Sequence, residues 1–324
     1  MNEVTIIKTM LAKFERSHAQ LNAPFTADAE LVNWGECCLG GSILGISMDE
    51  FSAEDGFGAA TPERIGHNVA VATLSDLYAS GVTPQFFLQS VTLPENNAEA
   101  FASGLAQGVA EVLRTSNCFL LGGDAGQAVD WRYVGVALGT ARKGRPLTRQ
   151  LPCAGNYDLW ATGYFGDANA AVLAGLPAPA FELRNMQATV IRDRAAAAID
   201  SSDGFMLSLW QLSQLNPTFQ FKVDLEAVLM DDATTKIANF KGFNAQAFLW
   251  GGAGEYELIF ALPEGVTLGL PDTTRIGHIE AGSGLHLRTG SHVKEVTQAP
   301  PCPRQFAQRN HYVAAVLAAM EAVR

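Results

Sequence analysis

Apolar positions along the chain follow two different spacings, which predict a mixture of strands and helices. Extended apolar runs predict strands over Ser42–Met48, Phe86–Leu93, Asn117–Leu121, Tyr133–Ala141, Tyr157–Thr162, Phe219–Leu225 and Glu255–Leu262. Helical spacing of apolar residues predicts helices over Ile65–Ser80, Ala98–Arg114 and Gln305–Val323. Because pairs of predicted strands follow each other without an intervening helix, the pattern favours an α+β fold over a doubly wound parallel sheet.

The chain has 324 residues, a length that suggests about two domains. The best candidate boundary is Arg142–Gly155, where Lys143-Gly144-Arg145-Pro146 and Pro152 form a linker-like segment between two predicted strands. It divides the chain into an N-terminal domain, 1–145, and a C-terminal domain, 146–324, both with mixed sheets. The N-terminal half has more strands than one small domain covers on both faces, so we expect it to pair across a homodimer.

The overall charge narrows the range of partners. The 22 Lys and Arg residues against 33 Asp and Glu residues give a formal charge of −11, which repels nucleic-acid phosphates and anionic lipid. The five cysteines lack the spacing of a zinc site. Neither a signal-peptide pattern nor an apolar run of membrane length is present. These features predict a cytoplasmic protein with no nucleic-acid or membrane partner.

The candidate chemistry lies in carboxylates beside glycines, since the chain has no Walker A, GxSxG or GxGxxG pattern. Asp49 and Asp124 follow predicted strands, and Asp200 and Asp203 lie in Ile199-Asp200-Ser201-Ser202-Asp203-Gly204. Turn formation, a helix cap or complementation of a helix dipole would also account for each of them. Asp76 lies within a predicted helix, where aspartate is unfavourable, so either solvent exposure or metal binding must account for it.

Several short blocks occur in an order that resembles a known family. The most specific is Ile65-Gly66-His67-Asn68-Val69-Ala70-Val71-Ala72-Thr73-Leu74-Ser75-Asp76-Leu77. The others are Gly122-Gly123-Asp124, Leu147-Thr148-Arg149, Thr162-Gly163 with Gly166-Asp167, Ile199–Gly204 and Tyr256-Glu257-Leu258. Together they resemble the aminoimidazole-ribonucleotide synthetase superfamily, and most closely its thiamine-monophosphate kinase family. The resemblance extends from Trp34 to Phe260.

The resemblance implies a set of functional residues. The family binds ATP through several magnesium ions in a cleft at a homodimer interface, without a P-loop. The implied metal-binding residues are Asp49, Asp76, Asp124, Asp200 and Asp203, with Ser47 nearby. The implied nucleotide-binding residues are Gly123, Asp124, Arg149 and Ser202. Asp49 and Asp203 are the implied catalytic residues. Magnesium would bridge carboxylates to phosphate, which otherwise repel each other.

Departures from the family pattern concern the acceptor more than the nucleotide. Cys37 replaces a metal-binding aspartate, so either Glu36 compensates or one metal ion is absent. Gly56 and Gly254 replace a histidine and a glutamate on the acceptor side. We therefore predict an ATP- and magnesium-dependent phosphotransferase that acts on a small, phosphorylated acceptor and turns over thiamine monophosphate weakly. Two alternatives stay open: another ATP-dependent reaction of the superfamily, on an amide, carboxylate or selenium acceptor, or a non-catalytic nucleotide-binding dimer.

Overall fold

The computed structural model describes residues 21–23, 25–33, 43–55, 60–142, 146–152, 155–242 and 244–322. Its strands are β1 (Glu30–Asn33), β2 (Ile43–Ser52), β3 (Thr83–Pro94), β4 (Phe119–Ala128), β5 (Arg132–Ala141), β6 (Tyr157–Thr162), β7 (Ala197–Asp200), β8 (Phe219–Asp224), β9 (Leu258–Pro263), β10 (Thr273–Ala281), β11 (Leu285–Thr289) and β12 (His292–Val296). Its α-helices are α1 (Pro62–Ala79), α2 (Ala98–Thr115), α3 (Asp167–Ala174), α4 (Asn185–Arg194), α5 (Phe205–Leu215), α6 (Asp232–Lys241) and α7 (Arg309–Ala322). Short 3₁₀ helices cover Ala245–Trp250 and Pro303–Gln305.

The first sheet has the strand order β1-β2-β5-β3-β4. Neighbouring strands in this sheet are antiparallel, except that β3 and β4 run parallel to each other. β2 pairs with β5 from Ile43 opposite Ala141 to Ser52 opposite Arg132. Both β2 and β4 continue beyond their predicted ends, so Asp49 and Asp124 lie within strands rather than after them. Backbone hydrogen bonds to the neighbouring strands keep the chain extended at these polar positions. The local apolar pattern does not reveal this pairing.

Helix α1 begins at a Thr61–Pro62 cap, where the Thr61 hydroxyl accepts a hydrogen bond from the Arg64 N–H. It packs closely against α2, because a Cβ on Gly66 would lie 2.0 Å from the Leu105 carbonyl oxygen. Its residues are buried on nearly every side. Helical spacing over Ile65–Ser80 suggests a helix with a single apolar face, but α1 is a central helix that contacts β2, β5, β7 and α4.

The second sheet has the order β12-β11-β8-β10-β6-β9-β7 and mixes one parallel pair, β8 with β11, with antiparallel pairs. Its core includes Phe205, Leu209 and Phe221, all fully buried. The core around α1 also includes Ile191 and Phe260 from this second half. Helix α1 therefore joins the two halves of the chain through one shared core. The predicted α+β fold with mixed sheets is confirmed.

β5 belongs to the first sheet and β6, the next strand along the chain, to the second. The exact boundary between residues 145 and 146 stays a prediction. None of the helices in the described ranges is long and apolar enough to cross a membrane.

Candidate functional site

Three carboxylates from distant parts of the sequence meet at one point of the fold. Asp28 precedes β1, Asp76 lies near the end of α1, and Asp200 is the last residue of β7. One oxygen of each lies within 4.8 Å of the others. Two bare carboxylates at that separation repel each other by roughly 3 kcal/mol at an effective dielectric constant of 20. The cluster therefore favours protons or a cation.

The pKa values of the cluster express this repulsion. Burial, and after it the charge of Asp28, raises the pKa of Asp49 on β2 to about 6. The same two causes raise the pKa of Asp200 to about 7. Burial, followed by the charges of Asp49 and Asp200, holds the pKa of Asp76 well above its usual range. A cation that binds here must therefore displace protons.

Arg149 is the positive group beside these carboxylates. Its Nη2 donates to Oδ1 of Asp28, and its backbone N–H donates to the Thr26 carbonyl over 3.0 Å. Burial lowers the pKa of Arg149, but Asp28 above all, then Asp200 and Asp76, raise it by more. One guanidinium offsets only part of the negative charge. Its implied contact with the nucleotide stays a prediction, because here the guanidinium is bound to Asp28.

The turn after β7 carries the candidate site residues that come from the C-terminal half of the chain. The Ser202 hydroxyl donates to Oδ1 of Asp200 over 2.9 Å, which orients that carboxylate. Asp203 lies partly buried ahead of α5, where its Oδ2 accepts from Nε2 of Gln211 over 3.0 Å. Ser202 thus contacts the cluster through Asp200, and Asp203 lies three residues further along the chain. Their assigned roles in nucleotide binding, metal binding and catalysis remain predictions.

Small polar side chains on or against α1 hold the surrounding segments. The Ser47 hydroxyl donates to the Thr73 carbonyl over 2.9 Å, so Ser47 is a buried partner of the helix. The Ser80 hydroxyl accepts from the Ala29 N–H over 2.8 Å, and so fixes the residue that follows Asp28. Ser47 and Ser80 are buried, whereas Asp76 itself is only half-buried.

Tyr256 lies over the carboxylates in an unusual backbone conformation. Its φ is 58°, a left-handed value that is rare for an aromatic residue and is found at functional sites. Its ring packs against Phe181 with centroids 4.8 Å apart, and its carbonyl accepts from the Ser75 hydroxyl over 3.4 Å. Burial, and then the charges of Asp49 and Asp200, raises the pKa of the Tyr256 hydroxyl. Sequence reasoning used Tyr256 only as part of a motif.

Two buried acids anchor the segment that carries Tyr256. Glu257 accepts from Nε and Nη2 of Arg184 over 2.6 and 2.5 Å, and from the Thr162 hydroxyl over 2.5 Å. Glu255 accepts from the Gly166 N–H over 2.6 Å, at the start of α3. These contacts fix the backbone on both sides of Tyr256, which accounts for its persistence in a strained conformation.

Gly254 lies in the same segment, against the turn after β7. A Cβ at this position would lie 2.3 Å from the Ser202 carbonyl oxygen. No side chain fits there without movement of the turn. The acceptor-side glutamate of the family pattern is therefore not merely missing at Gly254 but excluded by the local packing.

Asp124 does not reach the cluster within one chain. Asp49 pairs with Gly135, Gly135 with Gln89, and Gln89 with Gly123, so these positions share one face of the first sheet. Asp124 follows Gly123 and therefore points to the opposite face, on the edge strand β4. The implied joint magnesium site of Asp49, Asp76 and Asp124 stays a prediction. The metal and nucleotide roles of Gly123 and Asp124 stay predictions.

Glu36, Cys37 and Gly56 lie outside the described residues, so the predictions that concern them are not tested.

The sequence analysis did not predict Asp28 as a site residue. No local signal marks it, because Thr26-Ala27-Asp28-Ala29 matches no motif and has the composition of an ordinary loop before a strand. A separate surface cleft of about 180 Å³, between Tyr78 and Arg192, contains none of these carboxylates.

Comparisons with known proteins show which proteins this chain resembles. Residues 36–141 match the family model for AIR synthase related protein, N-terminal domain. Escherichia coli HypE, a hydrogenase maturation protein, has a similar fold, with a TM-score of 0.69 and 17% identity over 94% of this chain and 99% of that chain. The predicted resemblance to the AIR synthase-like superfamily is confirmed.

Within that superfamily, the similarity to thiamine-monophosphate kinases is also confirmed. The thiamine-monophosphate kinase of Pyrococcus abyssi (strain GE5 / Orsay) is 27% identical over 248 residues, which are 73% of this chain and 77% of the relative. The solved complex of AaThiL with AMPPCP and TMP has a TM-score of 0.76 and 20% identity, covering 91% of this chain and 95% of that chain.

Proposed function

We propose that this chain is an ATP-dependent kinase that resembles thiamine-monophosphate kinase and transfers a phosphoryl group to a small acceptor. The predicted class of enzyme, a kinase, is supported by its curated relatives and by its fold. The single observation that carries the proposal is the convergence of Asp76 and Asp200, one from each half of the chain, on one point. A site shared by both halves is the arrangement that a cleft enzyme needs.

The residues present fit magnesium. The cluster offers carboxylate oxygens only, the ligands that this hard cation prefers, and Oδ2 of Asp200 is buried without a hydrogen-bond partner among the described residues. Asp76 and Asp200 would hold the ion, with Asp49 beside them. A bound magnesium ion would neutralise phosphate oxygens of ATP and of a phosphorylated acceptor. Ser202 orients Asp200, and Glu255 and Glu257 hold the backbone on either side of Tyr256.

A homodimer is part of the proposal. All ten residues of β4 are exposed, among them Phe119, Leu120 and Leu121. An open edge strand with apolar side chains favours pairing with another chain. A second copy against β4 would also supply the surroundings that Asp124 lacks in a single chain. We further propose a division into domains 1–145 and 146–324 and a cytoplasmic location, with no nucleic-acid partner.

The acceptor is to be identified by measuring ADP release. The purified chain is incubated with ATP and magnesium and a panel of phosphorylated and unphosphorylated metabolites that includes thiamine monophosphate. We expect acceptor-dependent ADP release, which Asp76→Asn abolishes, with thiamine monophosphate a weak acceptor because Gly254 offers no side chain. Binding of ATP without ADP release for any acceptor would instead favour the non-catalytic dimer. Release only with a carboxylate, amide or selenium acceptor would favour another superfamily reaction, for which the likeness to HypE supports the fold alone.

A further inference from the structure

Asp28 has a buried side chain, and only one of its two carboxylate oxygens has a hydrogen-bond partner among the described residues. Its side chain is 1% exposed, and its Oδ1 accepts from Nη2 of Arg149. Its Oδ2 is buried and has no hydrogen-bond partner among the described residues. An unpaired buried carboxylate oxygen is costly, so such an atom in a native fold calls for a partner.

The surroundings of Asp28 indicate what that partner is. Asp200 likewise has a buried Oδ2 without a partner, while Ser202 binds its Oδ1. Ligand oxygens of Asp28, Asp76 and Asp200 lie within 4.8 Å of one another. Hydrogen-bond donors are thus directed at one oxygen of Asp28 and of Asp200, and the second oxygen of each is left for a cation.

The position of Asp28 is also fixed from both sides. The Ala29 N–H donates to the hydroxyl of Ser80, the residue that follows α1, and the Thr26 carbonyl accepts from the Arg149 N–H. A carboxylate held by backbone contacts on either side loses little further entropy when it binds an ion. This preorganisation is typical of a ligand and is unnecessary for a surface acid.

We propose that Asp28 is a metal-binding residue of this chain, which acts with Asp76 and Asp200 on one divalent cation. Arg149 is its positioning residue: it holds Oδ1 and so directs Oδ2 toward the ion. The proposal rests on the proposed function, in which this cluster binds magnesium. It adds a ligand from the segment before β1, where the sequence motifs place none.

The test is a titration of the full-length chain with Mn²⁺ alone, in which electron paramagnetic resonance measures the free ion. Mn²⁺ prefers the same oxygen ligands as magnesium and is visible to this method. We expect Asp28→Asn to weaken Mn²⁺ binding about 10- to 100-fold, as expected for loss of a well-placed group at a metal site. Asp158→Asn is the matched control, because Asp158 is another buried acid paired with an arginine, Arg275, outside the cluster. It should leave Mn²⁺ affinity unchanged.

A double variant separates coordination from simple charge. Asp28→Asn with Arg149→Gln removes one charge of each sign, so the net charge of the site is kept. If Asp28 is a ligand, the double variant still binds Mn²⁺ weakly. If its carboxylate acts only through charge, the double variant recovers wild-type affinity, and the proposal is overturned.

Asp28→Glu covers the case in which Asp28→Asn does not fold. It keeps the carboxylate and its arginine partner but moves the oxygens by one methylene, so Mn²⁺ binding should weaken, and urea unfolding shows whether the variant is folded. Wild-type affinity in this variant contradicts the proposal. Loss of Mn²⁺ binding in Asp76→Asn but not in either Asp28 variant would refute the role of Asp28 alone. A wild-type chain that binds no Mn²⁺ would refute both that role and the metal site of the proposed function.

Discussion

At the scale of single residues, the surroundings of Asp200 and Asp49 disfavour the ionised form of both carboxyl groups. Burial and the charge of Asp28 raise the pKa of Asp200 from 3.8 to about 7, and that of Asp49 to about 6. Such raised values are typical of functional sites, because ordinary packing does not bring unpaired acids together. The fold tolerates this cost where a cation or a substrate offsets it.

The raised pKa of Asp200 predicts a pH dependence with a definite sign. Between about pH 4 and 7 the folded chain holds a proton that the unfolded chain has released, so the free energy of unfolding falls as the pH rises through this range. Magnesium should reverse the fall, because it binds the ionised form. Urea unfolding at pH 5 and pH 8, with and without magnesium, measures both effects.

Asp200→Asn should make this fall shallower, with the remainder due to Asp49 and Asp76, whose pKa values are also raised. Glu111→Gln, an exposed change on α2, should leave the profile unchanged. A wild-type chain whose stability without magnesium rises steadily from pH 5 to pH 8 would contradict the assignment of Asp200 as an acid that the fold keeps protonated.

At the scale of elements, α1 connects the core with the site. It carries Asp76, binds the strand of Asp49 through the Ser47 hydroxyl, and fixes the segment of Asp28 through Ser80. Its distance from α2 is set by glycines, since a Cβ on Gly108 would lie 2.0 Å from the Glu63 carbonyl oxygen. The position of the carboxylates therefore depends on close backbone packing between two helices.

Gly108→Ala tests that dependence. Helix propensity alone would make alanine about 1 kcal/mol more stable than glycine at a helical position. Here the added methyl meets backbone, which cannot rotate away, so we expect a net loss of about 1–3 kcal/mol in the free energy of unfolding. Thermal and urea unfolding measure it, with the exposed Ser103→Ala of the same helix as control. A Gly108→Ala chain that is more stable than wild type would show that the helices are free to move apart.

At the scale of the whole molecule, the two sheets differ in the solvent exposure of an edge strand. β7, at one edge of the second sheet, is fully buried, and Asp200 of this strand joins the site. β4, at one edge of the first sheet, is fully exposed over ten residues. An edge of that length is expected to be covered in solution, which is the physical basis of the proposed homodimer.

Leu121→Asp should therefore shift the chain from dimer to monomer. Leu121 is 59% exposed on β4, so a charge costs little in a single chain but is unfavourable against an apolar partner surface. Sedimentation velocity at micromolar concentration measures the change. Val293→Asp, at a similarly exposed position on β12 of the other sheet, is the control and should not alter the mass. A wild-type chain that sediments as a monomer would contradict the proposed dimer.

The spacing of apolar residues and the turn residues beside them predicted the bounds of some helices and strands. The residue ranges of α2 and β6 follow closely from helical spacing and from an apolar run between turn residues. The order of short motifs predicted the class of protein and drew attention to Asp76 and Asp200. These properties are encoded within a few consecutive residues, so the sequence by itself determines them.

Only the tertiary structure decided which acids meet. Asp28 lies 121 positions from Arg149, and no local pattern links them. Asp49 and Asp124 were expected after strands, but pairing with neighbouring strands continued β2 and β4 through them and placed the two side chains on opposite faces. The burial of α1 and the left-handed backbone of Tyr256 likewise depend on contacts made by distant segments. Such contacts are properties of the packed chain, because burial and proximity arise only when both halves enclose the same point.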